Sequence, residues 1–174
     1  MTENLVLDNT ILSHFARAGE LETLRLLCDG YRVLVPVEVH KELLDGIETY
    51  PSLANAVALS WTTAITLEEI AEVVAFAVYR RVLDAGEAAV LAFVKVNGGV
   101  AIVDETAGRH EGTRDALEVR GTLWLILEGV HKDVVPRDVA EELIDALRAT
   151  DMRLPTDGAG FFAWAYSQGL LPRP

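Results

Sequence analysis

Asp8, Glu38, Glu87 and Asp104 each stand where an apolar segment meets a turn or a helix start. In an α/β sheet the carboxyl ends of the strands, and the loops leaving them, open onto one crevice. Carboxylates gathered there repel one another unless a divalent cation sits among them. Hard oxygen donors suit Mg²⁺ or Mn²⁺. The chemistry such a set supports is metal-dependent phosphodiester cleavage, in which the ion polarises the phosphate and lowers the pKa of a bound water.

Each acid also has a plainer reading. Asp8 is followed by Asn9-Thr10 and is equally a helix N-cap. As a functional group it is a metal ligand, with the Thr10 hydroxyl bonded beside it in support. Glu38 follows Pro36, and Glu87 follows the cap residue Asp84. The helix dipole alone favours a glutamate in a first turn. Asp104 closes the apolar run Val100-Ala101-Ile102-Val103, where packing gives no reason for a carboxylate. What singles out the set is the combination: two strand-terminal aspartates and two first-turn glutamates, each on its own element. Glu105 is a weaker candidate, its side chain expected to point away from Asp104.

The elements that must position these residues alternate along the chain. Asn4–Asp8 reads as a short buried strand, and Thr10–Arg17 and Glu20–Cys28 as helices, the second stopped by Gly30. Tyr31–Val35 is a β-branched run ended by Pro36, and Val37–Leu44 a helix with Glu38 in its first turn. Tyr50–Ala58 reads as a short helix and Leu59–Ile65 as a strand near an edge. Thr66, with Glu69 at the capping-box position, predicts a helix running to about Arg81. Asp84 caps the apolar helix Ala88–Val96, and Asn97-Gly98-Gly99 turns the chain into the strand Val100–Val103. A helix over Glu105–Leu117, a short strand Glu118–Arg120 and helices Gly121–Gly129 and Pro136–Arg148 follow. The pattern predicts a three-layer α/β/α fold with a mostly parallel sheet.

The chain has 174 residues, of which 51% are hydrophobic and 24% charged. That length and composition fit one globular domain. We expect it to occupy residues 1–150, with an aromatic extension over 151–174 packed on the same domain or at a subunit interface. The net charge of −12 argues against a broad basic nucleic-acid surface, though a carboxylate site is itself a source of negative charge. The lone Cys28 excludes an internal disulfide and a thiolate metal cluster, and with no signal peptide in view the expected setting is cytoplasmic. The apolar stretch Ile70–Tyr79 carries Glu72 and ends at Arg80-Arg81, so no membrane span is expected. His14, His40, His110 and His131 share no metal-binding spacing, and Ser13 has no His/Asp partner to make it a nucleophile.

The motifs resemble those of one family. Leu5-Val6-Leu7-Asp8-Asn9-Thr10 is similar to the opening of PIN-domain nucleases. Val35-Pro36-Val37-Glu38-Val39-His40-Lys41-Glu42-Leu43 resembles their second motif. Leu83-Asp84-Ala85-Gly86-Glu87-Ala88-Ala89-Val90-Leu91-Ala92 is similar to the third, in the branch with glutamate at the acidic position. Ile102-Val103-Asp104-Glu105-Thr106-Ala107-Gly108-Arg109 resembles the fourth, and Arg120-Gly121-Thr122-Leu123 the element after it. The resemblance runs in order from about Asn4 to Leu127.

It implies a PIN fold, Mg²⁺ or Mn²⁺, and single-stranded RNA as substrate. It also implies kinship with VapC-like toxins, the nuclease halves of toxin–antitoxin pairs. On that footing Asp8 and Asp104 bind metal directly, Glu38 and Glu87 act through water or orient it, and Thr10 supports them. A small antitoxin and self-association are the expected partners. Lys41, Arg80, Arg81 and Arg109 are candidate phosphate contacts. The competing reading is a non-catalytic PIN-like binding or assembly module. A phosphatase needing a second aspartate two residues after the first is disfavoured by Thr10, and a receiver domain by the absence of acids in Leu5-Val6-Leu7.

Overall fold

The computed structural model describes residues 2–171, so Met1 and the last three residues of the expected extension lie outside the described residues. The strands are β1 (Asn4–Leu7), β2 (Arg32–Pro36), β3 (Thr63–Ile65), β4 (Val100–Ile102) and β5 (Val119–Arg120). They form one sheet in the order β3-β2-β1-β4-β5, with every neighbouring pair parallel. Leu5, Val6 and Leu7 are wholly buried, as are Ala101 and Ile102. These strands are apolar throughout because helices cover both faces of a parallel sheet. The three-layer α/β/α architecture is the one expected.

The helices are α1 (Asn9–Ala18), α2 (Leu21–Leu27), α3 (Val37–Gly46), α4 (Leu53–Val57), α5 (Ile70–Tyr79), α6 (Ala85–Asn97), α7 (Thr106–Arg114), α8 (Thr122–His131), α9 (Arg137–Arg148) and α10 (Phe161–Ser167). The chain moves outward from β1 through β2 to β3, then returns to the other side of β1 for β4 and β5. That reversal opens a crevice at the carboxyl ends of β1 and β4. Register pairs Leu7 with Ile102, and the Asp8 N–H donates to the Ile102 carbonyl at 3.3 Å. Gly99 makes this pairing possible. Its φ is +106°, and a Cβ there would lie 2.5 Å from the Asn4 carbonyl oxygen.

The strand read over Leu59–Ile65 shortens to Thr63–Ile65, and two helix boundaries also change. The helix after β3 does not start at Thr66. It starts at Ile70 with Glu69 as N-cap, in a capping box with Glu72. The Glu72 carboxylate decides this, accepting from both Glu68 N–H (2.8 Å) and Glu69 N–H (3.0 Å). Satisfying two free amides outweighs the Thr66 hydroxyl. The helix after β4 also ends early, at Arg114, because Ala116 turns to φ +56° before β5. The aromatic tail divides: Phe161 and Phe162 are core residues, and the Arg137 guanidinium of α9 lies 4.5 Å from the Phe162 ring. Ala165, one turn further on, belongs to the same hydrophobic core.

Candidate metal centre

The crevice collects its carboxylates from helix starts. Asp8 follows β1 directly and caps α1: its Oδ2 accepts from Thr10 N–H at 3.4 Å. Cap and ligand are thus not exclusive roles, since Oδ1 of the same carboxylate is buried with no hydrogen-bond partner. The contact from Thr10 to Asp8 runs through its backbone amide rather than the expected hydroxyl. Asp84 caps α6, accepting from Glu87 N–H at 2.9 Å. Glu87 itself is buried, and its Oε1 has no partner. Both helices turn their N-termini, the electropositive ends, toward these acids.

Asp8, Glu42 and Asp84 offer oxygens that all lie within 4.8 Å of one another. Glu42 and Asp84 were not among the predicted ligands. Glu42 stands one helical turn after Glu38 on α3, so the two glutamates share a face. The Glu38 Oε2 is also buried without a partner, and Glu38 adjoins the cluster through its repulsion of Glu42. The spacing from Glu38 to Glu42 was a signal available in the sequence. Asp84 had been visible only as a cap.

Electrostatics tie the group together. Burial, with repulsion from Asp84 and Glu87, pushes the Asp8 carboxyl up to about 8. Burial also raises Glu87 to about 7, helped by Asp84, Glu105 and Glu42. Glu42 is raised by burial, then by the charges of Asp84 and Glu38. Burial raises Asp104 as well, against the pull of Thr122 and Arg109. Glu105 is exposed at the start of α7 and repels both Glu87 and Asp104, so it links the two parts of the crevice.

Asp104 is held differently. Its Oδ1 accepts from Thr122 N–H at 2.8 Å and its Oδ2 from the Thr122 hydroxyl at 2.7 Å. A strand-terminal aspartate therefore has a structural reason as well: it ties the start of α8 to the end of β4. Thr122 is wholly buried, and the motif segment Arg120-Gly121-Thr122-Leu123 contains it without revealing this role. Among the candidate phosphate contacts, Arg80 donates to the Leu83 carbonyl and so braces the loop before Asp84. Arg109 stands beside Asp104, while Lys41 is exposed on α3.

Glycines let these helix starts come close. A Cβ on Gly86 would lie 2.5 Å from Glu42 Oε2 and 3.2 Å from Asp8 Oδ1. On Gly108 it would lie 2.7 Å from Glu87 Oε1, and on Gly121 2.9 Å from Asp104 Oδ1. The starts of α6, α7 and α8 are thus each stripped of a side chain where a carboxylate needs the room.

Buried carboxylate oxygens without partners are costly, and a hard cation is what satisfies them. The donor set is all oxygen, which fits Mg²⁺ or Mn²⁺ and not a thiolate- or imidazole-preferring metal. Among the described residues, no helix is long and apolar enough to cross a membrane.

A search of curated proteins finds no match to the chain. The family model DUF3368, a PIN domain, matches residues 4–159 and so continues past residue 150 into the tail. The protein belongs to the PIN-domain family, whose members are generally metal-dependent nucleases, and it carries the acidic cluster such chemistry uses.

Proposed function

We propose that this protein is a metal-dependent endoribonuclease that hydrolyses single-stranded RNA. One observation carries the reading. Asp8 Oδ1, Glu38 Oε2 and Glu87 Oε1 are buried without partners, beside the Asp8, Glu42 and Asp84 oxygens that converge within 4.8 Å. Asp8, Glu42 and Asp84 would hold Mg²⁺ or Mn²⁺, with Glu87 adjoining. The cation supplies neutralisation of charge on the phosphate and a lowered pKa for attacking water. Glu87 Oε1 takes the proton as water adds to phosphorus, the bond from phosphorus to the 3′ oxygen breaks, and that oxygen takes up a proton from solvent. The products are a 5′-phosphate and a 3′-hydroxyl end. Asp104, clamped by Thr122, fixes the far wall of the crevice, and Arg109 beside it meets the phosphate.

The toxin role, with a small antitoxin as partner, rests on the resemblance of the motif segments to VapC-like toxins. A cytoplasmic setting agrees with the single buried thiol of Cys28. Self-association finds support on α5, where Ile70 (84% exposed), Val73, Val74 and Val78 form an apolar face that continues to Val82. The test of activity is cleavage of labelled single-stranded RNA by purified protein. Mn²⁺ or Mg²⁺ should support it, EDTA should abolish it and restored Mn²⁺ should recover it. Cleavage unaffected by EDTA would remove the metal mechanism.

A further inference from the structure

From Asp104 a cleft of about 680 Å³ leads away from the carboxylate cluster. Its lining includes Arg109, Arg120, Arg153, Trp124 and Trp164. This is a local reversal of charge, since the chain has 15 Lys and Arg against 27 Asp and Glu. Among the described residues neither Arg109 nor Arg153 has an ion-pair partner. Arg120 pairs with Glu118 at 3.2 Å, but both side chains are close to half exposed. Such a pair is weak and readily exchanged for another anion. Among the described residues Asp104 is the only acid lining the cleft, and both its oxygens accept from Thr122.

The aromatic groups give the second half of the argument. The Arg120 guanidinium lies 5.8 Å from the Trp124 ring, and Trp164 is stacked at 6.3 Å against the buried Phe161. Phe161 thereby backs Trp164, which remains partly exposed at the cleft. Guanidinium groups interleaved with indoles match a polyanion that also carries flat apolar faces. Single-stranded nucleic acid has both; a duplex hides its base faces, and an acidic peptide has no reason to need the indoles.

We propose that this cleft binds the stretch of single-stranded nucleic acid flanking the bond cut at the carboxylates. Arg109, Arg120 and Arg153 meet its phosphates, and Trp124 and Trp164 meet its bases. The inference rests on the nuclease reading for its direction, since the cleft begins at Asp104. Binding in the cleft is nevertheless separable from cleavage. The strongly negative remainder of the chain then has a use: it repels the strand elsewhere and favours this cationic path toward the site.

The experiment compares the wild-type chain with Arg120→Ala/Arg153→Ala, Trp164→Ala and Trp164→Phe. Binding of mixed-sequence single-stranded RNA and DNA oligonucleotides is followed in EDTA by anisotropy and tryptophan fluorescence. Turnover with Mn²⁺ is measured on the RNA oligonucleotide and on bis(p-nitrophenyl) phosphate, a diester with no flanking nucleotides. The double arginine variant should bind oligonucleotide about tenfold or more weakly, and Trp164→Phe should retain much of what Trp164→Ala loses. The slope of log K against log salt should shrink by about 0.7 for each phosphate contact removed. Turnover of the small diester should stay within about twofold, with the oligonucleotide loss appearing in KM.

Unchanged oligonucleotide affinity and salt slope in the double variant would overturn the proposal. So would protection of the indoles by an acidic peptide but not by an oligonucleotide, which would assign the cleft to a protein partner. Arginine-dependent binding by a wild-type chain that cleaves neither substrate would uphold the cleft and remove the nuclease reading.

Discussion

The Gly86 N–H donates to Glu42 Oε1 at 2.7 Å, and a Cβ on Gly86 would lie only 2.5 Å from the other oxygen of that carboxylate. One peptide amide thus fastens the start of α6 to the second turn of α3, and the absence of a side chain is what lets it reach. The same hypothetical Cβ would lie 3.2 Å from Asp8 Oδ1. Gly86 is therefore the point at which α3, the start of α6 and the residue following β1 meet, beside the Asp8, Glu42 and Asp84 oxygens that lie within 4.8 Å of one another.

Two variants of α3 separate its glutamates. Glu42→Gln keeps an oxygen to accept from Gly86 N–H but removes the charge. It should lower Mn²⁺-dependent RNA cleavage by about 10²-fold, as loss of a direct ligand does. Glu38→Gln, one turn earlier, should cost less than about tenfold, since Glu38 acts on the cluster through Glu42. Measured kcat values in the reverse order would return the ligand role to Glu38. Gly86→Ala should also impair cleavage, by displacing the Glu42 carboxylate.

Removing metal should make stability depend on pH in a definite direction. The Asp8 carboxyl moves from its ordinary 3.8 to about 8 in the folded protein, and Glu87 from 4.5 to about 7. Between those limits the folded state holds protons that the unfolded state has released, so stability falls as pH rises. Below about pH 4 both states are protonated, and above about pH 8 the loss is complete. Asp8→Asn has no charge to lose and keeps an oxygen to cap α1, asparagine being as good an N-cap as aspartate. In EDTA at about pH 8 it should melt above wild type, and Mn²⁺ should raise its Tm much less than that of wild type. A lower melting temperature for Asp8→Asn under those conditions would mark Asp8 as a structural cap alone.

These variants also show where the sequence was legible. The apolar runs at β1 and β4 could only be strands covered on both faces, and reading them as parallel placed Asp8 and Asp104 at one end of the sheet. Asp84 was read as a cap because N-capping is a local pattern. Its second property, an oxygen within reach of Asp8 and Glu42, depends on how α3 and α6 cross, which no local pattern encodes. The role of Glu42 is hidden for the same reason. Proximity to Pro36 made Glu38 conspicuous, yet α3 carries its second turn over the crevice as well. The start of α5 differs from its local pattern for another reason. Thr66 and Glu69 match the capping-box template, but Glu69 and Glu72 satisfy it one turn later, with Glu68 N–H as an additional donor.

Asp104 and Thr122 make a prediction with separable parts. Thr122→Val removes the hydroxyl that donates to Asp104 Oδ2 at 2.7 Å but keeps the backbone donor at 2.8 Å. Loss of one bond to a charged acceptor should cost about 1.5–3 kcal/mol of stability, read from urea denaturation. Cleavage should fall only as far as the carboxylate is freed to turn. Asp104→Asn should lose at least about 10²-fold in cleavage if this carboxylate acts on the metal or its water. If Asp104→Asn loses stability and keeps near-wild-type cleavage, its place is with the clamp on α8 alone.

The apolar face of α5 tests self-association. Glu72, Ala75 and Tyr79 turn inward, while Ile70, Val73, Val74 and Val78 remain exposed, with Val82 62% exposed just beyond the helix. Exposed side chains of this kind are unremarkable singly, but a run along one helix marks an interface. Residues four apart lie on the same stripe, so Val74 and Val78 are neighbours on its surface. A lysine at each places two charges where a symmetric pair of chains would bury them, at a cost of several kcal/mol per uncompensated charge. The double variant Val74→Lys/Val78→Lys should therefore sediment as a monomer at concentrations where the wild-type chain is a dimer. Its small-diester turnover should be unchanged, because α5 contributes none of the clustered carboxylates. Sedimentation of the wild-type chain as a monomer at high concentration would leave this face for a different partner, and the antitoxin reading would then be tested on it directly.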